Sequence, residues 1–481
     1  MLAVKNYKAA IVHSLLFIVA LIVSVYLNQP LYLLVPFLFI ALQKILEFAI
    51  INTTYIFFLL IICLPFSTEW QVTPSLSLDF PTEPFLILLS FLAICKWIYQ
   101  PKVFPIVLLK SNLFLLVLLH LIWLLINILF STQPLISLKF FIAKVWYVIP
   151  FVMLLQHFTQ TPNLIPKISK LLAVSMLLVI VQSLLRHSFE AFSFEGIKYT
   201  LSPFFRNHVN YSATLVLVMP ILLYLKPFNK EAINKRWLNW NNIVVIIYFL
   251  GLFFAYSRGA WLAVLVGFIA AYAIKYNRLK SLICSSIFML FIVLFTFIYK
   301  NNFLKLAPQF NTTIYHSNLT DHLQATIALK DVSNAERFYR WIAGFNMVSE
   351  HPITGFGTNT FYHHYKQYTA QLFKTWVSNN DDHSTVHNYF LLTLIEQGII
   401  GFLLFFGMMI VALLKAQKLY NLTSNLFYKN VAKVVGVMLV MICVLNFLSD
   451  LIETDKVGGL FWLCLGILIW LEEKINSEGL K

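Results

Sequence analysis

The chain has 481 residues, of which 60% are hydrophobic and only 11% charged, and its formal net charge is +15. A mean hydropathy of +0.79 excludes a soluble globular protein and predicts an integral membrane protein. The positive charge lies largely in segments between apolar runs, where it orients the chain and can contact membrane lipid. It therefore does not indicate a nucleic-acid partner.

Apolar runs long enough to cross about 30 Å of hydrocarbon recur along the chain. In lipid such runs must be helical, because each segment has to satisfy its own backbone hydrogen bonds. The sequence therefore predicts an all-α, polytopic transmembrane helical bundle of about 12–14 spans. The predicted spans are residues 9–27, 31–47, 51–66, 84–99, 112–130, 138–156, 168–186, 208–225, 242–257, 259–275, 281–299, 388–414, 433–450 and 457–471.

Lysines and arginines concentrate in alternate connecting segments, which the positive-inside rule assigns to the cytoplasm. They include Lys96, Lys102, Lys110, Lys226, Lys230, Lys235, Arg236, Lys275, Arg278, Lys280, Lys415, Lys418, Lys429 and Lys433. This alternation places both termini in the cytoplasm. We expect a transmembrane bundle over 1–299, an external loop domain over 300–387 and C-terminal transmembrane helices over 388–481.

Residues suited to hold a metal ion are few. The five cysteines lie in apolar runs without CxxC spacing, so the sequence predicts neither a disulfide framework nor a metal centre. Asp381 and Asp382 form the one acidic pair of the external loop, and as sequence neighbours they point apart. We interpret them as a solvated turn, and we predict no metal and no cofactor.

The external loop contains many aromatic residues, which predicts an ordered domain. A helix is expected over about 335–350, capped by Ser333 or Asn334 and ended by Pro352. The turn 354–357 follows it.

Three side chains share one face of that helix, Arg337, Arg340 and Trp341. Arg258 interrupts the apolar sequence between two predicted spans. Guanidinium groups can bind phosphate oxygens in bidentate fashion, as a metal-free diphosphate site requires. The same residues are also compatible with a solvated helix face and, for Arg258, with a snorkelling side chain.

His387 and Asn388 close the polar loop, and Gly398 and Gly401 follow on the next span. We expect His387 in the first helical turn, where the helix dipole favours the neutral imidazole that a general base requires. An interfacial histidine without a role is the alternative. The two glycines predict close approach of a neighbouring helix.

Other polar residues at the same side are weaker candidates. Arg206 and His208 begin the span at 208–225, where they either line a cleft or cap the helix. Lys139 and Lys144 lie within an apolar run and are candidates for contact with lipid phosphate.

The motifs together resemble the O-antigen ligase family. They are Ser257-Arg258-Gly259, then Arg337 with Trp341, the segment 351–357, and His387-Asn388 with nine residues before Gly398 and two before Gly401. The likeness covers roughly residues 200–415.

The resemblance implies a GT-C glycosyltransferase on the periplasmic side of the bacterial inner membrane, using no metal or nucleotide. Its donor would be a glycan on undecaprenyl diphosphate and its acceptor lipid A-core or another glycan. Arg258 and Arg337 would hold the diphosphate, and His387 would deprotonate the acceptor hydroxyl. Arg340, Trp341, Arg206, His208 and Asn388 are the further candidates for binding substrate.

Three alternatives remain open at this point. A polymerase or a protein O-oligosaccharyltransferase would use the same donor chemistry with a different acceptor. A transporter of lipid-linked glycan is the third, although transporters place charged sites near the midplane and commonly carry repeats. A base of near-neutral pKa would make the rate rise with pH through the histidine range.

Overall fold

The computed structural model describes residues 2–73, 76–227, 239–299, 332–374, 378 and 384–479. The chain divides into two compact units, Met1–Leu59 and Leu60–Lys481.

Helices dominate both units. They are α1 (Leu2–Tyr26), α2 (Val35–Ile51), α3 (Thr53–Cys63), α4 (Thr82–Tyr99), α5 (Asn112–Asn127), α6 (Pro134–Val148), α7 (Leu164–Phe189), α8 (His208–Pro220), α9 (Trp240–Phe253), α10 (Arg258–Lys275), α11 (Leu279–Ile298), α12 (Val332–Glu350), α13 (Tyr389–Leu422), α14 (Leu426–Leu448) and α15 (Asp455–Gly479). Tighter or wider helical turns occur at Pro30–Leu34, Leu64–Phe66, Pro101–Val103, Ile106–Lys110, Ile128–Phe130, Ile149–Met153, Leu154–Gln160, Ile221–Leu225, Tyr365–Tyr368, Gln371–Phe373 and Leu451–Glu453, and single α-turns at Ile197–Thr200 and Phe361–His364.

Each predicted span coincides with helix, so the polytopic helical membrane fold is confirmed. Among the described residues, nine helices are long and apolar enough to cross a membrane, and four shorter apolar helices accompany them. One expected boundary is wrong. The described part of α12 already begins at Val332, so Ser333 and Asn334 lie inside the helix and do not precede it.

In the first unit, α1 and α2 pack against each other as an antiparallel pair. The rings of Phe17 and Phe37 meet edge to face at 5.9 Å. A hydrogen bond of 2.9 Å joins His13 Nε2 and Gln43 Oε1. A polar contact of this kind between apolar helices satisfies groups that lipid would leave unpaired.

The all-α expectation misses one hairpin in the second unit. Strands β1 (Thr68–Thr73) and β2 (Leu76–Phe80) pair antiparallel, with Glu69 opposite Asp79. Two carboxylates in direct register destabilise a strand pair. Arg206 forms an ion pair with Glu69, which offsets that repulsion.

The core of the second unit is built around α14, in which 72% of the residues of the most apolar stretch are buried. The helices approach each other closely at glycine here, since a Cβ at Gly267 of α10 would lie 2.5 Å from Met441 Cε of α14. A Cβ at Gly436 of α14 would likewise lie 2.8 Å from Ile274 of α10. Small residues at such contacts let membrane helices pack through backbone and side-chain contact.

Helix α13 is broken at Gly398, which has φ 65° and ψ −172°. The break frees backbone carbonyls that would otherwise accept bonds within the helix. The loop that follows α12 supplies donors to two of them. Phe356 N–H donates to Ile395 O at 3.1 Å, and Gly357 N–H donates to Glu396 O at 2.9 Å.

Two further backbone groups at the break are also paired. Ile399 N–H donates to Pro352 O at 2.9 Å. Trp123 Nε1 of α5 donates to Gln397 O at 3.0 Å. Non-helical backbone is tolerated at membrane depth only where protein satisfies it in this way.

The two predicted glycine contacts therefore differ from each other. A Cβ at Gly401 would lie 2.9 Å from Trp123 Nε1, so close approach of a helix is confirmed there. A Cβ at Gly398 would lie 2.0 Å from Ile353 O, so the neighbour at that position is the loop and not a helix. Periodicity alone could not distinguish the two, because the loop returns from elsewhere in the sequence.

Candidate active site

Arg258, Arg337 and His387 lie on segments that meet where α14 ends, at residues 447–449. We call this region the loop end of the second unit. Tyr389 N–H, at the start of α13, donates to Ser449 O at 3.0 Å. The ring of Trp341 on α12 lies 6.3 Å from that of Phe447. Helices α12, α13 and α14 therefore meet at this end. Arg337 lies on α12, and His387 lies just before α13.

Arg258 belongs to the same end of the bundle. It is the first residue of α10, and a Cβ at the adjacent Gly259 would lie 3.3 Å from Leu448 Cδ1. The residue before α10, Ser257, is buried. The start of α10 is therefore fixed against the last turn of α14, beside the segments that carry the other candidates.

His387 was expected in the first turn of a helix, but it lies before the helix begins. Helix α13 begins at Tyr389, and Asn388 is its N-cap, with Oδ1 accepting from Leu391 N–H at 3.0 Å. His387 precedes the cap with φ 53°, in the left-handed region that non-glycine residues rarely adopt. Such strained residues persist only where their surroundings fix them, and they cluster at functional sites.

Two side chains of α12 fix the segment before the cap from one side. Arg340 donates to Thr385 O and Trp341 Nε1 to Val386 O, each at 3.0 Å. Both donors serve the backbone that leads into His387. In this geometry Arg340 and Trp341 hold the segment before His387, whereas the family resemblance implied a role in substrate binding.

Arg340 is itself embedded in a polar network. It is 5% exposed and its NH2 lies 3.3 Å from Glu336 Oε2. Ser378 donates to the other oxygen of that carboxylate at 2.6 Å. A buried charge held in this way costs several kcal/mol to disrupt, because its partner is left uncompensated.

Asp450 fixes the segment from the opposite side, in the turn after α14. Thr385 Oγ1 donates to Asp450 Oδ2 at 2.6 Å, and His387 N–H lies 3.4 Å from the same hydroxyl. Burial raises the pKa of Asp450, and the hydrogen bond from Thr385 opposes that effect. Sequence reasoning missed this residue, although an acidic side chain that closes an apolar run is a visible signal.

The electrostatic setting of His387 differs from the expected near-neutral base. Burial is the largest cause that lowers the pKa of His387 to about 3, and the positive charges of Arg340 and Arg337 act in the same direction. The imidazole is neutral at pH 7, as expected. This pKa is lower than the near-neutral value expected from the sequence, so a rise of rate through the histidine range is no longer expected.

Arg206 and His208 are held by other parts of the loop end. Arg206 is exposed and pairs with Glu69 of the hairpin. His208 begins α8, and its ring lies 6.5 Å from that of Phe194. Phe194 in turn lies 5.6 Å from Tyr256, so an aromatic chain connects His208 to the segment two residues before Arg258.

Within the described residues, no three histidine, cysteine or acidic side chains are grouped to hold a metal ion. Asp381 and Asp382 lie outside those residues. Lys144, a candidate for lipid phosphate, is buried and pairs with Glu453 at 2.8 Å. Lys139 interacts electrostatically with Glu83 at the start of α4.

We compared the chain with curated proteins and with models of protein families. The search of curated proteins gives no match. Residues 243–406 match the family model described as O-Antigen ligase. The matched segment contains Arg258, Arg337 and His387 and ends after the break in α13. Residues 243–406 therefore carry a domain of the O-antigen ligase family.

Proposed function

We propose that the protein is a membrane glycosyltransferase that transfers an undecaprenyl-diphosphate-linked glycan to an acceptor hydroxyl, and that it acts as an O-antigen ligase on lipid A-core. The observation that carries the proposal is the placement of His387 beside Arg337 at the loop end, where the helix of Arg258 also begins. A neutral base and cationic forks at one site suit a reaction with a diphosphate leaving group.

The proposed reaction exchanges one bond for another at the anomeric carbon. The acceptor oxygen forms a bond to that carbon while the bond to the diphosphate oxygen breaks, and undecaprenyl diphosphate leaves with the electron pair. His387 takes the proton of the acceptor hydroxyl. Arg258 and Arg337 stabilise the negative charge that grows on the leaving oxygen, at no cost of reorganisation because helices hold them in place.

The same arginines tune the base in the proposed complex. In the free protein the positive charges of Arg337 and Arg340 depress the pKa of His387. A bound diphosphate would neutralise part of that charge, so the imidazole would become more basic when the donor is present. The acceptor would then be deprotonated only in the complete complex.

We also propose the orientation. The loop end would face the periplasm of a bacterial inner membrane, with both termini in the cytoplasm, since lysines and arginines concentrate in the segments at the opposite side. The polyprenyl tail of the donor would lie in the bilayer beside α10 and α13. Its diphosphate would then reach the boundary at which Arg258 lies.

The low pKa of His387 yields a pH prediction. We expect kcat/KM for the donor to be flat between about pH 5 and about pH 8, because this parameter reports the free enzyme, in which His387 is protonated only as the pH falls towards 3. Initial rates at limiting donor concentration measure it. A tenfold fall centred near about pH 6.5 would show an ordinary histidine and contradict the buried, arginine-flanked base.

Metal independence is the second expectation of the proposal. Arginines would neutralise the diphosphate where other enzymes use magnesium held by carboxylates. We expect the purified protein to retain its full rate in excess EDTA. If EDTA stops transfer and magnesium or manganese restores it, the arginine site is insufficient and Asp381 and Asp382 become candidate ligands.

Deletion of the gene separates the acceptor alternatives. Loss of long glycans from lipopolysaccharide, with long chains retained on undecaprenyl diphosphate, supports the ligase. Lipid-linked single repeats would indicate a polymerase instead. Intact lipopolysaccharide with loss of glycan from serine or threonine of a protein would indicate a protein O-oligosaccharyltransferase.

A further inference from the structure

A carboxylate lies within the apolar run of α13, two residues before the break. Glu396 is 4% exposed, and its side chain meets the external loop. Oε2 accepts from Asn359 N–H at 2.8 Å, and Oε1 accepts from Phe361 N–H at 3.1 Å. Its own carbonyl accepts from Gly357 N–H, so the loop wraps around this residue.

Two further contacts show how closely the loop fits here. A Cβ at Gly355 would lie 2.5 Å from the carbonyl carbon of Glu396, and a Cβ at Gly357 would lie 2.0 Å from Ser131 Oγ. Both glycines have positive φ. Asn127 of α5 also donates to Thr354 O at 2.6 Å. The loop segment 352–361 therefore packs between α5 and the broken helix α13, and Glu396 lies at the centre of this contact.

This segment continues directly from α12, which carries Arg337. Helix α12 touches α13 at Gly344, where a Cβ would lie 2.7 Å from Ile395 Cδ1 and 3.4 Å from Leu391 Cδ2. Arg337 lies seven residues before Gly344, about two helical turns away. The helix is thus fixed in its middle by this contact and at its end by the loop segment.

We propose that Glu396 is a positioning residue, which locks the loop segment 352–361 into the break of α13 and thereby sets the place of Arg337 relative to His387. The proposal rests on the proposed function, because it assigns Arg337 to the donor diphosphate. A carboxylate is suited to the task, since each of its oxygens accepts an N–H that would otherwise be buried without a partner.

The test compares Glu396→Gln with the wild-type protein by hydrogen exchange and by transfer kinetics. Glutamine keeps the size but replaces one acceptor oxygen with a donor, so one N–H loses its partner. We expect faster exchange at Asn359 and Phe361, and kcat/KM lower on the order of 100-fold, as a displacement of about 1 Å can cause. Glu396→Asp, which keeps both acceptors, is expected to restore part of the rate.

Gln417→Ala is the matched control. Gln417 is a buried polar residue of the same helix, and it donates to Ile274 O at 3.0 Å, far along α13 from the break. We expect this variant to leave exchange at Asn359 and Phe361 unchanged and the transfer rate close to that of the wild type. Equal losses in both variants would reduce Glu396 to general packing and overturn the proposal.

A double variant identifies the residue through which Glu396 acts. If Glu396 positions Arg337, then Glu396→Gln combined with Arg337→Lys should be no slower than Arg337→Lys alone, within about threefold. Losses that multiply would overturn the proposal, as would unchanged exchange in Glu396→Gln. The exchange measurement needs no substrate. The wild-type protein could fail to transfer glycan while Glu396→Gln still loses protection at Asn359 and Phe361. That result would refute the proposed function but support the role of Glu396 in holding the loop segment 352–361.

Discussion

Replacement of His387 by alanine is expected to lower the rate of glycan transfer by about 10²–10⁴-fold, the contribution typical of a general base. The neutral imidazole precedes the capped start of α13 and is held in a left-handed conformation beside Arg337. Alanine removes the proton acceptor, while the cap and the bonds to Thr385 and Val386 remain. Initial rates with purified protein and lipid-linked donor measure the effect.

His363→Ala is the control for this experiment. His363 is an exposed histidine of the loop between α12 and α13. We expect it to transfer at close to the wild-type rate. A His387→Ala protein that inserts normally and keeps its rate would make His387 a structural residue, and the acceptor would then need another base.

Replacement of Arg258 or Arg337 by alanine is the other large effect that we expect. Truncating one partner of a desolvated charge pair costs about 2–5 kcal/mol, so kcat/KM for the donor should fall on the order of 100-fold or more. Lysine keeps the charge without the planar fork, and each lysine variant should fall between alanine and the wild type. Donor titration in the transfer assay separates KM from kcat.

Arg278→Lys and Arg278→Ala provide the matched control, since Arg278 is an exposed arginine just before α11, at the end opposite the loop. Both should leave the kinetics unchanged. If alanine at Arg258 and Arg337 also leaves the kinetics unchanged, these two arginines do not bind the donor and the diphosphate must lie elsewhere.

The helices of this protein could be predicted from sequence because membrane spans are determined by length and apolarity alone. The hairpin at Thr68–Phe80 could not, because it places Glu69 opposite Asp79 and only the structure shows that Arg206 pairs with Glu69. The candidate site residues that belong to short motifs could also be predicted. Arg337, Trp341 and His387 keep fixed spacing within short segments.

The rest of the site depends on contacts distant in sequence. Asp450 and Glu396 act on residues 65 and 37 positions away, which no local pattern reveals. A single acidic residue in an apolar run is a usable signal, because burial of a charge in a membrane is costly. The low pKa of His387 could not be predicted from local sequence, because it depends on burial and on the charges of Arg340 and Arg337.

The most direct test of the account is transfer by the purified full-length protein. The protein is mixed with labelled glycan on undecaprenyl diphosphate and with lipid A-core, in EDTA, and both products are followed. The account predicts that label appears on lipid A-core while an equal amount of undecaprenyl diphosphate is released, and that the His387→Ala protein produces neither. Release without glycosylated acceptor, or equal transfer by the wild-type and His387→Ala proteins, would contradict it.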